Sequence, residues 1–242
     1  MNSHHMASLW LLLAVSVAGA DETLRWKETA TQLTASIAAA PEKVELYSQR
    51  GDVRFFLGEF APAVADYDQM VALEPELDAG HWRRGIAWFY AGDYKQAAAQ
   101  FERYHSFDNV DRENGIWRYL CQRKAFGLEK AREGLLKYEK DDREPFGDVY
   151  RLFQGDLTAD ELLTKIRDAQ ITDTERQKRL FYAELYVGLN EAVEERTDSA
   201  RTHLAAAAQN RWGQQSGYGP NYMWQVARLH ADQLSKPVPP QK

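Results

Sequence analysis

The feature that most restricts what this chain can fold into is a gapless self-match at a spacing of 34 residues. RGDVRFFLGEFAPAVADY, from Arg50 to Tyr67, lies over RGIAWFYAGDYKQAAAQF, from Arg84 to Phe101. Arg50 matches Arg84, Gly51 matches Gly85, Phe55 matches Phe89, and Gly58 matches Gly92. Phe60 matches Tyr94, Ala63 matches Ala97, and Tyr67 matches Phe101. Pro41 with Pro75, and Ile37 with Val71, hold the same phase upstream. Small and aromatic residues at fixed offsets over such a period signal a stack of helix–turn–helix units.

Each offset has a physical reason. Gly51 and Gly85 are small where the two helices of a unit approach closely, and Ala63 and Ala97 serve the same approach from the second helix. Gly58 and Gly92 fall at the inter-helix turn, where positive φ is needed. Tyr67 and Phe101 are expected to fill the space between neighbouring units. Pro41 and Pro75 end second helices, since the residue before proline leaves the helical region. Pro62 opens a second helix, where its missing N–H is harmless.

Two full units are predicted at about Val44–Leu77 and Asp78–Asp111, preceded by a lone second helix over Thr23–Pro41. Downstream the period blurs. Ala131, again 34 beyond Ala97, places helices at Trp117–Lys124 and Glu129–Tyr138. A further pair is expected at Phe146–Gln154 and Thr158–Arg167, with a turn at Gly155-Asp156 and Thr158 as N-cap. Arg176–Glu191 resumes a first-helix pattern through Ala183, Tyr186 and Gly188, and Glu191–Arg196 reads as an insertion. DSARTHLAAAAQN is its second helix, capped by Asp198. GQQSGYGP reads as a glycine-rich loop before a terminal helix at Asn221–Leu234, and residues 235–242 as a flexible tail. No period-2 strand of useful length occurs, so the fold class is all-α.

These offsets resemble the tetratricopeptide repeat (TPR) family. The resemblance is narrower still for IWRYLCQRK, EGLLKYEKDDREPFGDVYRLFQGDLTADELLTKI and LFYAELYVGL, which look like the NlpI-type TPR lipoproteins of the bacterial envelope, over roughly Val44 to Leu234. It implies a TPR solenoid over residues 21–234 with irregular C-terminal pairs. It also implies a non-catalytic adaptor, usually a homodimer, that brings periplasmic proteases or peptidoglycan hydrolases to their substrates. The alternative is an assembly or accessory factor for an envelope or secretion complex. By the same resemblance the concave face holds Glu45, Ser48, Asp52, Phe55 and Phe56 in the first repeat. In the second it holds Ala79, Trp82, Ile86, Phe89 and Tyr90. TPR modules that clamp a C-terminal carboxylate carry Lys and Asn at several such sites, whereas Ser48, Asp52, Trp82 and Ile86 stand here. The expected protein-binding residues are therefore the apolar ones: Phe55, Phe56, Trp82, Ile86, Phe89 and Tyr90. The same aromatics would equally suit packing against a later helix or a dimer partner. Trp212, Tyr218, Tyr222 and Trp224 are expected to cap the end of the array.

The remaining sequence bounds compartment and chemistry. Ala7–Val17 is a short uncharged apolar run followed by Ala18-Gly19-Ala20. This reads as a secretory signal peptide over residues 1–20, cleaved after Ala20, giving a periplasmic or secreted protein with no transmembrane span. Ala20 stands where a lipoprotein of this type carries its lipid-bearing cysteine, so no lipid anchor is expected from the sequence as it stands. Net charge is −6 with no basic stripe, which removes the electrostatic basis for nucleic-acid binding. A single cysteine, Cys121, excludes an internal disulfide and a cysteine-based zinc site. It is expected to be a buried structural thiol. His81, His105, His203 and His230 lack ligand spacing. GQQSGYGP lacks the lysine of a phosphate loop, and EKDDRE lacks calcium-loop spacing. No enzyme, cofactor or metal site is expected.

Overall fold

The computed structural model describes residues 4–135, 138 and 143–235, with side chains from residue 21 onward. Among the described residues there are thirteen α-helices, one 3-10 turn and no strand, so the chain is all-α. Two expectations, the loop reading of EKDDRE and the tail over 235–242, fall wholly or mostly on residues 139–142 and 236–242, outside the described residues. The chain divides into two compact units, residues 1–78 and 79–242, at the junction of the two matched repeats.

The first unit contains α1 (His4–Ala39), α2 (Val44–Phe56), α3 (Phe60–Leu73) and a 3-10 turn at Pro75–Leu77. α1 packs on α2, and α2 on α3. α1 begins far upstream of the expected Thr23 and stops at Ala39, just before the residue that Pro41 forces out of the helix. Gly51 allows the α2–α3 approach: a Cβ there would lie 2.5 Å from Tyr67 Cε1. The Tyr67 hydroxyl then donates to Asp52 Oδ1 at 2.7 Å. Gly58 closes α2 in the left-handed region, with φ of 78°. A polar tie joins the pair: Arg50 donates from Nε and Nη2 to the buried Asp66 carboxylate, at 2.6 Å for the shortest bond, and Arg54 Nη1 adds a bond of 2.9 Å.

The second unit contains α4 (Trp82–Ala91), α5 (Tyr94–Phe107), α6 (Arg112–Phe126), α7 (Leu128–Glu133), α8 (Phe146–Gln154) and α9 (Ala159–Asp168). It continues with α10 (Asp173–Val193), α11 (Thr197–Gln209), α12 (Arg211–Gln215) and α13 (Tyr218–Ser235). The α4–α5 pair repeats the glycine-on-ring approach and the arginine tie of α2–α3. A Cβ on Gly85 would lie 2.6 Å from Phe101 Cε2, and Gly92 has φ of 85°. Arg84 donates from Nε and Nη2 to Gln100 Oε1 at 3.1 and 2.8 Å. Tyr67 and Phe101 thus lie on the glycine of their own pair, not solely between pairs, because that glycine leaves room for a ring. Phe101 also stacks on Trp117 of α6, at 6.0 Å and 15°.

The arginine tie appears a third time. Arg118 lies 34 residues beyond Arg84, and its Nη1 donates to the Gly134 carbonyl at 2.7 Å. Ala131 is fully buried, in phase with Ala63 and Ala97. The second helix of this pair is α7, which ends at Glu133 and does not reach Tyr138. Gly134, a weak helix former, follows, and its carbonyl is taken by the guanidinium rather than by a further helical turn.

α8 and the Gly155 turn, with φ of 86°, lie where the sequence predicts. α9 opens on a Thr158–Glu161 capping box. α10 is longer than expected and absorbs the first half of the supposed insertion, leaving Glu194–Arg196 as the turn, with Glu195 at φ of 62°. Gly188 on α10 repeats the close approach: a Cβ would lie 2.6 Å from Leu204 Cγ and 3.0 Å from the Leu204 backbone nitrogen. Asp198 does not cap α11. Arg196 holds the cap position, and Asp198 sits in the first turn, bonded to Arg201 at 3.0 Å. GQQSGYGP is not a loop, and only Ser216-Gly217 separates α12 from α13. Asn210 caps α12 through Trp212 N, Gly213 lets the Phe181 ring approach to 2.6 Å of its missing Cβ, and Pro220 lies in the tolerant first turn of α13.

Candidate functional site: a cavity in the second unit

The six expected binding residues separate into three environments. In the first unit Phe55 is fully buried, with its ring 5.3 Å from Phe60. Phe56 is half-buried against Trp26 of α1, at 5.7 Å. Neither presents an open face. In the second unit Trp82 and Ile86 line a cavity of about 400 Å³, while Phe89 and Tyr90 line a smaller one of about 150 Å³.

What sequence reasoning left open is which later helix covers these residues: it is α13, the terminal helix expected at Asn221–Leu234. Its Tyr222 is fully buried and meets Trp82 edge-on at 4.9 Å, with Tyr218 at 6.4 Å from the same ring. About two turns along α4, the Tyr90 hydroxyl is hydrogen-bonded to His230 Nδ1 at 2.9 Å. The inward side of α4 is therefore a pair of chambers against α13 rather than an open trough. The aromatic cluster expected to cap the array is mostly internal. Trp212 packs on Phe181 and Tyr182, Trp224 Nε1 donates to the Ala208 carbonyl at 2.8 Å, and only Tyr218 is exposed. The helical spacing of Trp82, Ile86, Phe89 and Tyr90 predicted a shared face. It carried no information about what covers that face.

The larger cavity draws on α4, α5, α6, α10, α12 and α13. Its apolar wall includes Trp82, Tyr104, Trp117, Tyr182, Trp212 and Met223. Its polar side is a network built at the start of α6. Asp111 caps that helix, accepting from Glu113 N at 2.9 Å and from Asn114 Nδ2 at 2.7 Å. Glu113 accepts from the Tyr186 hydroxyl and from Arg143 Nη2. Arg143 also reaches Asp111 at 3.4 Å, and its guanidinium lies 4.3 Å from the Phe146 ring centre. Burial, reinforced by the Glu113 carboxylate, pushes the Tyr186 and Tyr182 hydroxyls above the usual phenol range. Burial and then Asp111 push Tyr104 up to about 12. These phenols remain protonated, and the Tyr186 hydroxyl donates to Glu113. Trp117 is 1 % exposed, with rings of Phe101 and Phe89 beside it, and its Nε1 has no hydrogen-bond acceptor among the described residues.

The smaller chamber holds Tyr94 beneath Lys124 Nζ, at 5.5 Å from the ring centre. Burial, and then the Lys124 charge, lower the His230 pKa to about 4, so the ring is neutral where it meets Tyr90. His81 is lowered to about 3, first by burial and then by Arg83 and Arg84. Its Nδ1 accepts from Arg84 N and caps α4. Cys121 is fully buried, and desolvation raises its thiol well above the ordinary value. Among the described residues no three His, Cys, Asp or Glu side chains are grouped as around a metal ion, and no helix is long and apolar enough to cross a membrane.

No protein-family model matches the chain.

Proposed function

We propose that the protein is a non-catalytic, TPR-type binding module of the bacterial envelope, exported by removal of residues 1–20. In this reading it is an adaptor that presents substrates to periplasmic proteases or peptidoglycan hydrolases. The observation that carries it is the recurrence of one interhelical contact set. The arginine tie recurs at Arg50, Arg84 and Arg118, and the glycine-on-ring approach at Gly51 and Gly85, as duplicated helix pairs built for display of a surface would have them. An adaptor works by geometry, raising the local concentration of one bound partner near another. The aromatic mouth around Trp82 supplies the kind of anchor that concentrates binding energy.

The test is affinity capture from a bacterial envelope extract with the chain as bait, alongside Trp82→Ala. The expected result is recovery of a protease or a peptidoglycan hydrolase by the parent, reduced at least about tenfold in the variant. Recovery of secretion-complex components alone, or equal recovery by a folded variant, overturns the assignment.

A further inference from the structure

The larger cavity of the second unit is walled by rings that are already fixed in place. Its volume, about 400 Å³, falls in the range of small-ligand sites. Its apolar wall includes Trp82, Tyr104, Tyr182, Trp212 and Met223, and both indoles keep accessible surface. Tyr222 meets Trp82 edge-on at 4.9 Å, and Tyr182 meets Trp212 at 5.8 Å. These neighbours, rather than a ligand, hold the two indoles, so little ordering is left to occur on binding.

The polar residues at this cavity are committed to one another. Asp111 accepts from Glu113 N, from Asn114 Nδ2 and from Arg143. Glu113 accepts from Arg143 and from the Tyr186 hydroxyl. Tyr104 is hydrogen-bonded to Asn114, and Tyr182 to Arg143. Lys178 Nζ lies 3.5 Å from Glu175 Oε2. Two carboxylates, Asp111 and Glu113, and two cations, Arg143 and Lys178, line the cavity, so no net charge favours an ion of either sign. A charged ligand would break one of these pairs or lose its water without gaining a partner, and either is costly.

What the cavity offers a ligand is apolar contact, and most of that contact comes from rings. A flat aromatic molecule meets such walls in offset or edge-to-face arrangements, and the Met223 thioether is an adaptable neighbour for its edge. We propose that the cavity binds a free, uncharged aromatic molecule of about the size of naphthalene. It is held by contact with the indoles and Tyr182, and it asks no hydrogen bond of Asp111, Glu113 or Trp117. An aromatic side chain on a partner protein would also bring peptide groups to the rim, where they would lose water without gaining a partner. This site does not rest on the adaptor reading. It is measured on the purified chain with no partner present, so its failure leaves the capture experiment untouched.

The experiment is calorimetry and intrinsic tryptophan fluorescence on the full chain at neutral pH. The probes share one ring system and differ in charge: naphthylmethanol is neutral, naphthoate an anion and naphthylmethylammonium a cation. The capped peptide acetyl-Gly-Trp-Gly-amide stands for an aromatic side chain of a partner. Naphthylmethanol is expected to saturate with a Kd below about 1 mM, a modest affinity for a ligand held by apolar contact alone. It should bind at least about tenfold tighter than either charged analogue and than the peptide. Trp82→Leu and Trp212→Leu keep apolar bulk but remove an indole face, and each should weaken naphthylmethanol at least about threefold. Absence of saturation, equal or tighter binding of a charged analogue or of the peptide, or an unchanged Kd in both folded variants would overturn the proposal. Trp212 also packs on Phe181, so its variant is read only if circular dichroism matches the parent. If neither variant folds, the ranking of the four probes on the parent chain decides the matter.

Discussion

Replacing Asp66 with alanine tests whether the arginine tie stabilises the α2–α3 pair. Asp66 is 2 % exposed and accepts four hydrogen-bond contacts, three from Arg50 and one from Arg54. Removing it leaves Arg50, whose side chain is 12 % exposed, without its carboxylate. Removing one partner of a buried pair costs about 3–5 kcal/mol, because the other charge is stranded. The lower end applies here, since Arg50 Nη1 keeps its bond to Thr34 Oγ1 and Arg54 is partly exposed. A loss of about 3 kcal/mol corresponds to a fall in Tm of roughly 6–12 °C for a chain of this length. Asp66→Asn retains one acceptor oxygen but no charge and should fall between parent and Asp66→Ala. The assay is thermal and urea denaturation followed by circular dichroism at fixed salt. If Asp66→Ala costs less than about 1 kcal/mol with an unchanged m value, the tie is ornamental and the reasoning fails.

Two further outcomes follow from the helix pairs. Gly188→Ala should destabilise by about 1–3 kcal/mol, and by more than Gly51→Ala. The added Cβ at 188 meets the Leu204 backbone at 3.0 Å, whereas at 51 it meets only a tyrosine ring; comparative urea titrations check the order. His203 Nδ1 lies 2.6 Å from Glu184 Oε2, and that hydrogen bond, with charges at Glu184, Glu191 and Asp160, raises its pKa above the usual value. Arg167 also approaches Glu184, at 3.8 Å. A raised folded pKa means the charged-state stabilisation is fully present below about 6.5 and fades as pH rises through the folded value. The Tm difference between parent and His203→Gln should therefore be larger at pH 6 than at pH 9, and a difference independent of pH would refute the ion pair.

The legible parts of this molecule are those where one residue type answers one local demand. Gly58, Gly92 and Gly155 announce left-handed turns, and each turn is where the sequence puts it. Thr158 with Glu161 announces a helix start, and Gly51 and Gly85 announce close approaches. Less legible are features decided at long range. GQQSGYGP carries the composition of a loop. Tertiary contacts, among them Phe181 over Gly213 and Trp224 to the Ala208 carbonyl, hold it as helix instead. Trp82 and Tyr90 were placed on one face by spacing, but their partners Tyr222 and His230 lie some 140 residues away, as the Tyr90–His230 bond illustrates. No periodicity within α4 could report that. Arg118 was within reach of sequence reasoning, being in phase, but its acceptor in the tie to the second helix is the Gly134 backbone carbonyl, which leaves no side-chain signature.

The donor in these ties stays arginine while the acceptor changes from the Asp66 carboxylate to the Gln100 amide to the Gly134 main-chain oxygen. A guanidinium presents five N–H groups and accepts partners of any of these kinds. A helix pair of this kind can therefore exchange one acceptor for another and still remain fastened, so long as the arginine is kept and some acceptor faces it. Descendants of one ancestral pair would then drift beyond recognition in most columns while retaining the same joint. In this chain the arginine holds its interval through three pairs while the residue that receives it does not.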